Sequence, residues 1–112
     1  MKKFVAIVLA LALSLCCVSA LAAEKLTVIA TPSPHAEILE LIKEDLAALG
    51  YDLDVLVVTD YVTENPAVAG GDVQANFFQH IPYLADYNAT ASDSEKLVGV
   101  IPTHFEPMGL YA

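Results

Sequence analysis

The sequence has 112 residues, 56% of them apolar, and a formal charge of −9. That length suits one small domain, and an acidic surface repels phosphate backbones, so nucleic acid is excluded as a natural partner. Both cysteines, Cys16 and Cys17, lie within the first 22 residues, which removes a disulfide framework or a thiolate metal site from the rest.

Lys2 and Lys3 precede an apolar run from Phe4 to Val18 that only Ser14 interrupts, and Ser19-Ala20-Leu21-Ala22-Ala23 follows. A basic start, an apolar middle and a small-residue exit make residues 1–22 a secretory signal, so the protein is expected in the cell envelope. Its end admits three readings. Cleavage after Ala22 would release a periplasmic protein. A lipidated Cys16 or Cys17 would anchor a lipoprotein to the membrane, although Leu15 stands where a small residue is expected before Cys16. An uncut span from Phe4 to Ala23 is the least favoured. Beyond residue 22, Lys25, Lys43 and Lys96 face fourteen acidic residues, and arginine is absent from the sequence. A mature chain of about 90 residues buries only about 60–65% of its unfolded surface, so its stability margin is thin.

Leu26 to Ala30 is short, β-branched and apolar, and reads as a buried first strand. Thr31-Pro32-Ser33-Pro34 stops it. Ser33 is placed to cap a helix whose first turn accepts Pro34. Ile38, Ile42, Leu46 and Leu49, widened by Leu39 and Leu41, give that helix an apolar stripe as far as Gly50, which suits a left-handed end. Leu53 to Val58 is a second strand, and the continuous run Val55 to Val58 predicts burial on both faces. Strand, helix and strand within about thirty residues make a βαβ unit with a parallel sheet.

Val62 to Ala69 is expected to hold a short helix, and Gly70-Gly71-Asp72 a turn. Val73 to Phe78 is a third strand. It delivers Asn76-Phe77-Phe78-Gln79-His80-Ile81-Pro82-Tyr83-Leu84, which packs three aromatic rings, an imidazole and two amides into nine residues. Pro82 opens a further helix carrying Tyr83, Leu84 and Tyr87. Asn88 to Ser94 reads as a loop, and Leu97 to Ile101 as a fourth strand closed by Pro102. Ligands of an open parallel sheet bind outside the carboxyl ends of its strands. Those ends carry Thr31 to His35, Thr59 to Tyr61, Phe78 to Tyr83 and Pro102 to His104, which predicts one shared rim. Amides and a histidine beside aromatic rings suit a small ligand with an apolar and a polar end. The plain alternative is a strand end with two core phenylalanines and a capped helix.

Four strings resemble the methionine-binding lipoproteins, the MetQ/NlpA-type receptors of ABC importers. They are Thr31-Pro32-x-Pro34-His35-Ala36-Glu37, Asp60-Tyr61-Val62, Ala75 to Leu84, and Pro107-Met108-Gly109-Leu110-Tyr111. The resemblance implies an α/β fold: the first lobe of a type II periplasmic-binding architecture, a mostly parallel sheet flanked by helices. It implies that residues 23–104 are that lobe, that residues 105–112 begin the crossing, and that the second lobe is missing. It further implies a methionine-like amino-acid ligand, importer membrane subunits as partners, no cofactor and no catalysis. Tyr61, Phe78, His80 and Tyr83 would line the side-chain end of the pocket, with Phe77, Asn76 and Gln79 as secondary candidates. The family's ligand-clamping arginine and asparagines belong to the second lobe.

A competing reading is a metal-ion receptor using His35, His80 and His104, one histidine at each of three strand exits. No two of them stand at a short ligand spacing. A hydrolase is disfavoured, because Ser33 and His35 lack a nucleophile elbow and no glycine-rich phosphate loop is present.

Overall fold

A computed structural model describes residues 22–110. Residues 1–21, with Cys16 and Cys17, and residues 111–112 lie outside the described residues. Three parallel strands form the sheet: β1 (Glu24–Ala30), β2 (Tyr51–Val57) and β3 (Ala75–Phe77), in the order β2-β1-β3. The fold is therefore mixed α/β, as expected. β1 is central, pairing Ile29 with Leu56 on one side and with Asn76 on the other. Flanked by both neighbours, its last three residues, Val28, Ile29 and Ala30, are buried.

Side chains alternate across a strand, so Val28 and Ala30 share one face. There they meet Ala36, Leu39 and Leu53, with Leu26, Leu46, Val55, Ala75 and Phe77 at the margin. Each fully buried Val, Leu or Phe of such a cluster contributes roughly 1.5–3 kcal/mol by leaving water. The cluster is small, and its removal at one position would take a large share of the whole.

The entry to the first helix differs from the expectation. Ser33 does not cap it: Thr31 stands at the N-cap of the first turn and Ala36 at that of the helix, while Ser33 is extended (φ −131°, ψ 133°) before a cis bond to Pro34. The chain instead closes one wide turn, Pro32–Ala36, in which the Ala36 N–H donates to the Thr31 carbonyl at 3.0 Å. Two short helices follow, α1 (Glu37–Leu41) and α2 (Lys43–Ala48), separated at Ile42. Only Leu39 and Leu46 of the predicted stripe reach the core, while Leu41 and Leu49 stay largely exposed. Gly50 ends the pair at φ +89°, a left-handed conformation that favours glycine.

β2 is an edge strand. Leu56 and Val57 are about half exposed, at 47% and 49%, so the predicted burial on both faces does not hold. The reason is topological: β2 pairs with β1 alone. After β2 come α3 (Glu64–Ala69), a turn with Gly71 at φ +79°, β3, and α4 (Ile81–Thr90). α4 extends through the first part of the predicted loop.

The predicted fourth strand, Leu97 to Ile101, does not form among the described residues. The Asn88 side chain takes the place of a neighbouring strand. Its amide donates to the Leu97 carbonyl at 2.8 Å, and its oxygen accepts the Leu97 N–H at 2.9 Å. Val98, Val100 and Ile101 then run exposed to solvent.

Candidate functional site

Because all three strands are parallel, β1, β2 and β3 deliver their carboxyl ends to one edge. Thr31, the Asp60–Tyr61 loop and Phe78 leave the sheet there. Asp60 builds the loop that presents Tyr61. Its Oδ1 accepts the Val62 and Thr63 N–H groups at 2.9 and 2.8 Å and the Thr63 hydroxyl at 2.9 Å. The Thr63 and Val62 backbone donors hold the Asp60 carboxyl below its ordinary range.

Three of the predicted residues form one aromatic group. The Tyr61 and Phe78 rings stack with centroids 6.0 Å apart, and Phe78 meets Tyr83 edge-on at 5.6 Å. The Tyr83 hydroxyl closes the triangle by donating to the Tyr61 carbonyl at 2.5 Å. Phe78 is buried and anchors the group, whereas Tyr61 is 58% exposed and presents a face to solvent. Edge-on and offset ring contacts follow from the aromatic quadrupole. His80 is exposed at the N-cap of α4, between Phe78 and Tyr83 in the chain.

Phe77 points elsewhere. It packs edge-on against His35 at 4.6 Å and His104 at 5.5 Å, forming a second ring cluster with those two imidazoles. Asn76 and Gln79 spend their amides on a residue that sequence reasoning passed over, Asn65. Gln79 and Asn65 exchange two hydrogen bonds, at 3.0 and 2.7 Å. Asn76 donates to the Asn65 oxygen at 2.9 Å, and Gln79 donates to Asn76 at 3.1 Å. This amide knot fastens α3 to the end of β3 and so sets the position from which Phe78 leaves the sheet. A lone asparagine in a short helix carried no sequence signal for that role.

Glu64, beside Asn65, was also passed over. It is fully buried, and neither carboxylate oxygen has a hydrogen-bond partner. Burial, with Asp60 adding repulsion, pushes its carboxyl from the ordinary 4.5 up to about 8. Glu64 is therefore mostly neutral near pH 7.

The three-histidine metal arrangement does not assemble as drawn. His35 and His104 meet, with ring centroids 5.1 Å apart, but the acid that joins them is Glu106 and not His80. Neither the family match nor the relatives below support a metal-ion receptor.

Residues 26–112 match the family model described as NlpA lipoprotein. The chain is 44% identical over 89 residues to the methionine-binding lipoprotein MetQ of Bacillus subtilis, covering 80% of this chain and 32% of that protein. It is 39% identical over 79 residues to the membrane lipoprotein TpN32 of Treponema pallidum, covering 70% of this chain and 29% of that protein. Among solved structures, a Bacillus subtilis lipoprotein superposes with a TM-score of 0.60 at 41% identity, over 65% of this chain and 29% of that one. Lipoprotein Tp32 of Treponema pallidum gives 0.59 at 37% identity, over 61% and 28%. The chain thus spans about a third of the length of the curated relatives it matches. With the family model matched over residues 26–112 and these relatives and neighbours in agreement, the chain belongs to the NlpA lipoprotein family.

Proposed function

We propose that this chain carries one wall of the binding site of an amino-acid receptor, with methionine or a close relative as ligand, serving an ABC importer. The observation that carries the reading is the Tyr61–Phe78–Tyr83 triangle at the carboxyl edge of the sheet, in a chain whose relatives include proteins named for methionine binding. A thioether gains about 0.3–1.5 kcal/mol from each aromatic contact, so a wall of rings suits the methionine side chain. His80, exposed at the start of α4, stands beside that wall and supplies a polar contact. Phe77, Asn76 and Gln79 act behind it, holding the strand end that presents Phe78.

In this reading residues 23–104 are one lobe and residues 105–112 begin the crossing to a second, which holds the ligand's charged end. Capture is closure of the two lobes, a hinge motion that needs no catalytic step. The receptor acts in the cell envelope, delivered by residues 1–22 and either released or held at the membrane through Cys16 or Cys17. Among the described residues, no helix is long and apolar enough to cross a membrane.

The test is calorimetry with methionine on a longer protein that contains these residues and a second lobe. Tyr61→Ala and His80→Ala should each weaken binding. Unchanged affinity in both would remove the site assignment, and the 112-residue chain alone should bind only weakly, since one wall of the cleft faces water.

A further inference from the structure

The ring cluster around Phe77 contains a donor set that the aromatic rim does not use. His35 Nε2 lies 3.8 Å from Glu106 Oε1, and His104 Nε2 lies 2.5 Å from the same oxygen. The three donor atoms all fall within 4.8 Å of one another. Four ligands around a tetrahedral zinc ion, each at about 2.0–2.1 Å, stand roughly 3.3 Å apart. The two printed separations, 3.8 and 2.5 Å, bracket that spacing, and the exposed Glu106 side chain is free to adjust between the imidazoles.

The second layer of contacts fits as well. The far nitrogen of each imidazole already faces a hydroxyl: His35 Nδ1 lies 2.6 Å from Thr31 Oγ1, and His104 Nδ1 lies 3.1 Å from Thr103 Oγ1. A ligating histidine usually donates its other N–H to such a group, which fixes the ring and its tautomer. Phe77 packs edge-on against both rings and limits their rotation. His35 is buried, which holds its ring in place.

We infer that His35, His104 and Glu106 form a site for one divalent transition-metal ion of the zinc type, separate from the aromatic rim. Two imidazoles and one carboxylate match a zinc donor set that leaves a fourth position for water. The ion would be a fixed fastener and not a transported cargo. It would join the Thr31–His35 turn after β1 to the Thr103–Glu106 segment, in which Phe105 is otherwise exposed.

The test is a Zn2+ titration of the metal-free 112-residue chain by calorimetry, with amide hydrogen exchange read over residues 102–106. The site predicts one Zn2+ per chain and slower exchange in that segment. His104→Ala and Glu106→Gln, both at exposed positions, should each weaken Zn2+ binding by at least about tenfold while the circular dichroism spectrum stays that of the parent. His80→Ala should leave Zn2+ binding unchanged. Absence of saturable binding, equal affinity in the His104 and Glu106 variants, or an equal loss in His80→Ala would overturn the assignment.

Discussion

Phe77 and Phe78 are adjacent in the chain, yet each seeds a different ring cluster: Phe77 meets His35 at 4.6 Å, and Phe78 meets Tyr61 at 6.0 Å. A strand sends successive side chains to opposite faces, so one dipeptide serves both sides of the sheet's carboxyl edge. One side is a candidate ligand wall. The other fastens the trailing segment to the turn after β1. A shift of β3 by a single residue would exchange the two and destroy both.

The first prediction concerns Glu64. Its folded carboxyl titrates near 8 against an ordinary 4.5. A carboxyl raised in this way leaves folding stability intact below the unfolded value, and stability falls as pH climbs from about 4.5 to about 8. The loss at pH 7 is about 3 kcal/mol. Glu64→Gln should flatten that dependence, being more stable than the parent at pH 8 and close to it at pH 4. Urea unfolding at the two pH values measures it, and parallel pH profiles would contradict it.

Asn65 is predicted to be the most sensitive polar residue of the domain. Asn65→Leu would strand the amides of Asn76 and Gln79 in a partly buried setting, at about 1–3 kcal/mol for each group left unpaired. The expected outcome is a lower unfolding midpoint with faster amide exchange in both α3 and β3. A loss confined to α3 would show that the knot does not couple the helix to the strand.

The aromatic triangle makes a graded prediction. Phe78→Ala empties a buried ring and should cost about 3–5 kcal/mol. Tyr83→Phe removes only the bond to the Tyr61 carbonyl, about 1 kcal/mol. The smaller change should nonetheless broaden or shift the Tyr61 ring resonances, because that bond ties the Asp60–Tyr61 loop to α4. Tyr61 signals identical to those of the parent would contradict the tie.

Much of this arrangement was legible in the residues. β-branched runs at Leu26 to Ala30 and Leu53 to Val58, joined by a helical stripe, dictate parallel strands, and parallel strands dictate a common edge for Tyr61, Phe78 and Tyr83. What was not legible depended on single long-range partners. Leu97 to Ile101 has the composition of a strand, but Asn88 satisfies the Leu97 backbone and the run stays unpaired. Ser33 has the chemistry of a cap, but Thr31 and His35 organise the turn through their own hydrogen bond. Glu64 and Asn65 look like ordinary residues at the start of a solvated helix, and only the packing of α3 against β3 buries them. In each case local propensity pointed one way and a tertiary contact decided otherwise.

The most direct measurement of the central claim is NMR of the 112-residue chain titrated with methionine to high concentration, where weak binding still registers as shifts. The aromatic wall predicts saturable changes in the Tyr61, Phe78, His80 and Tyr83 side chains, with His35 and Phe77 little affected. Changes centred instead on His35 and Phe77, or none in the four rings at saturation, would contradict it.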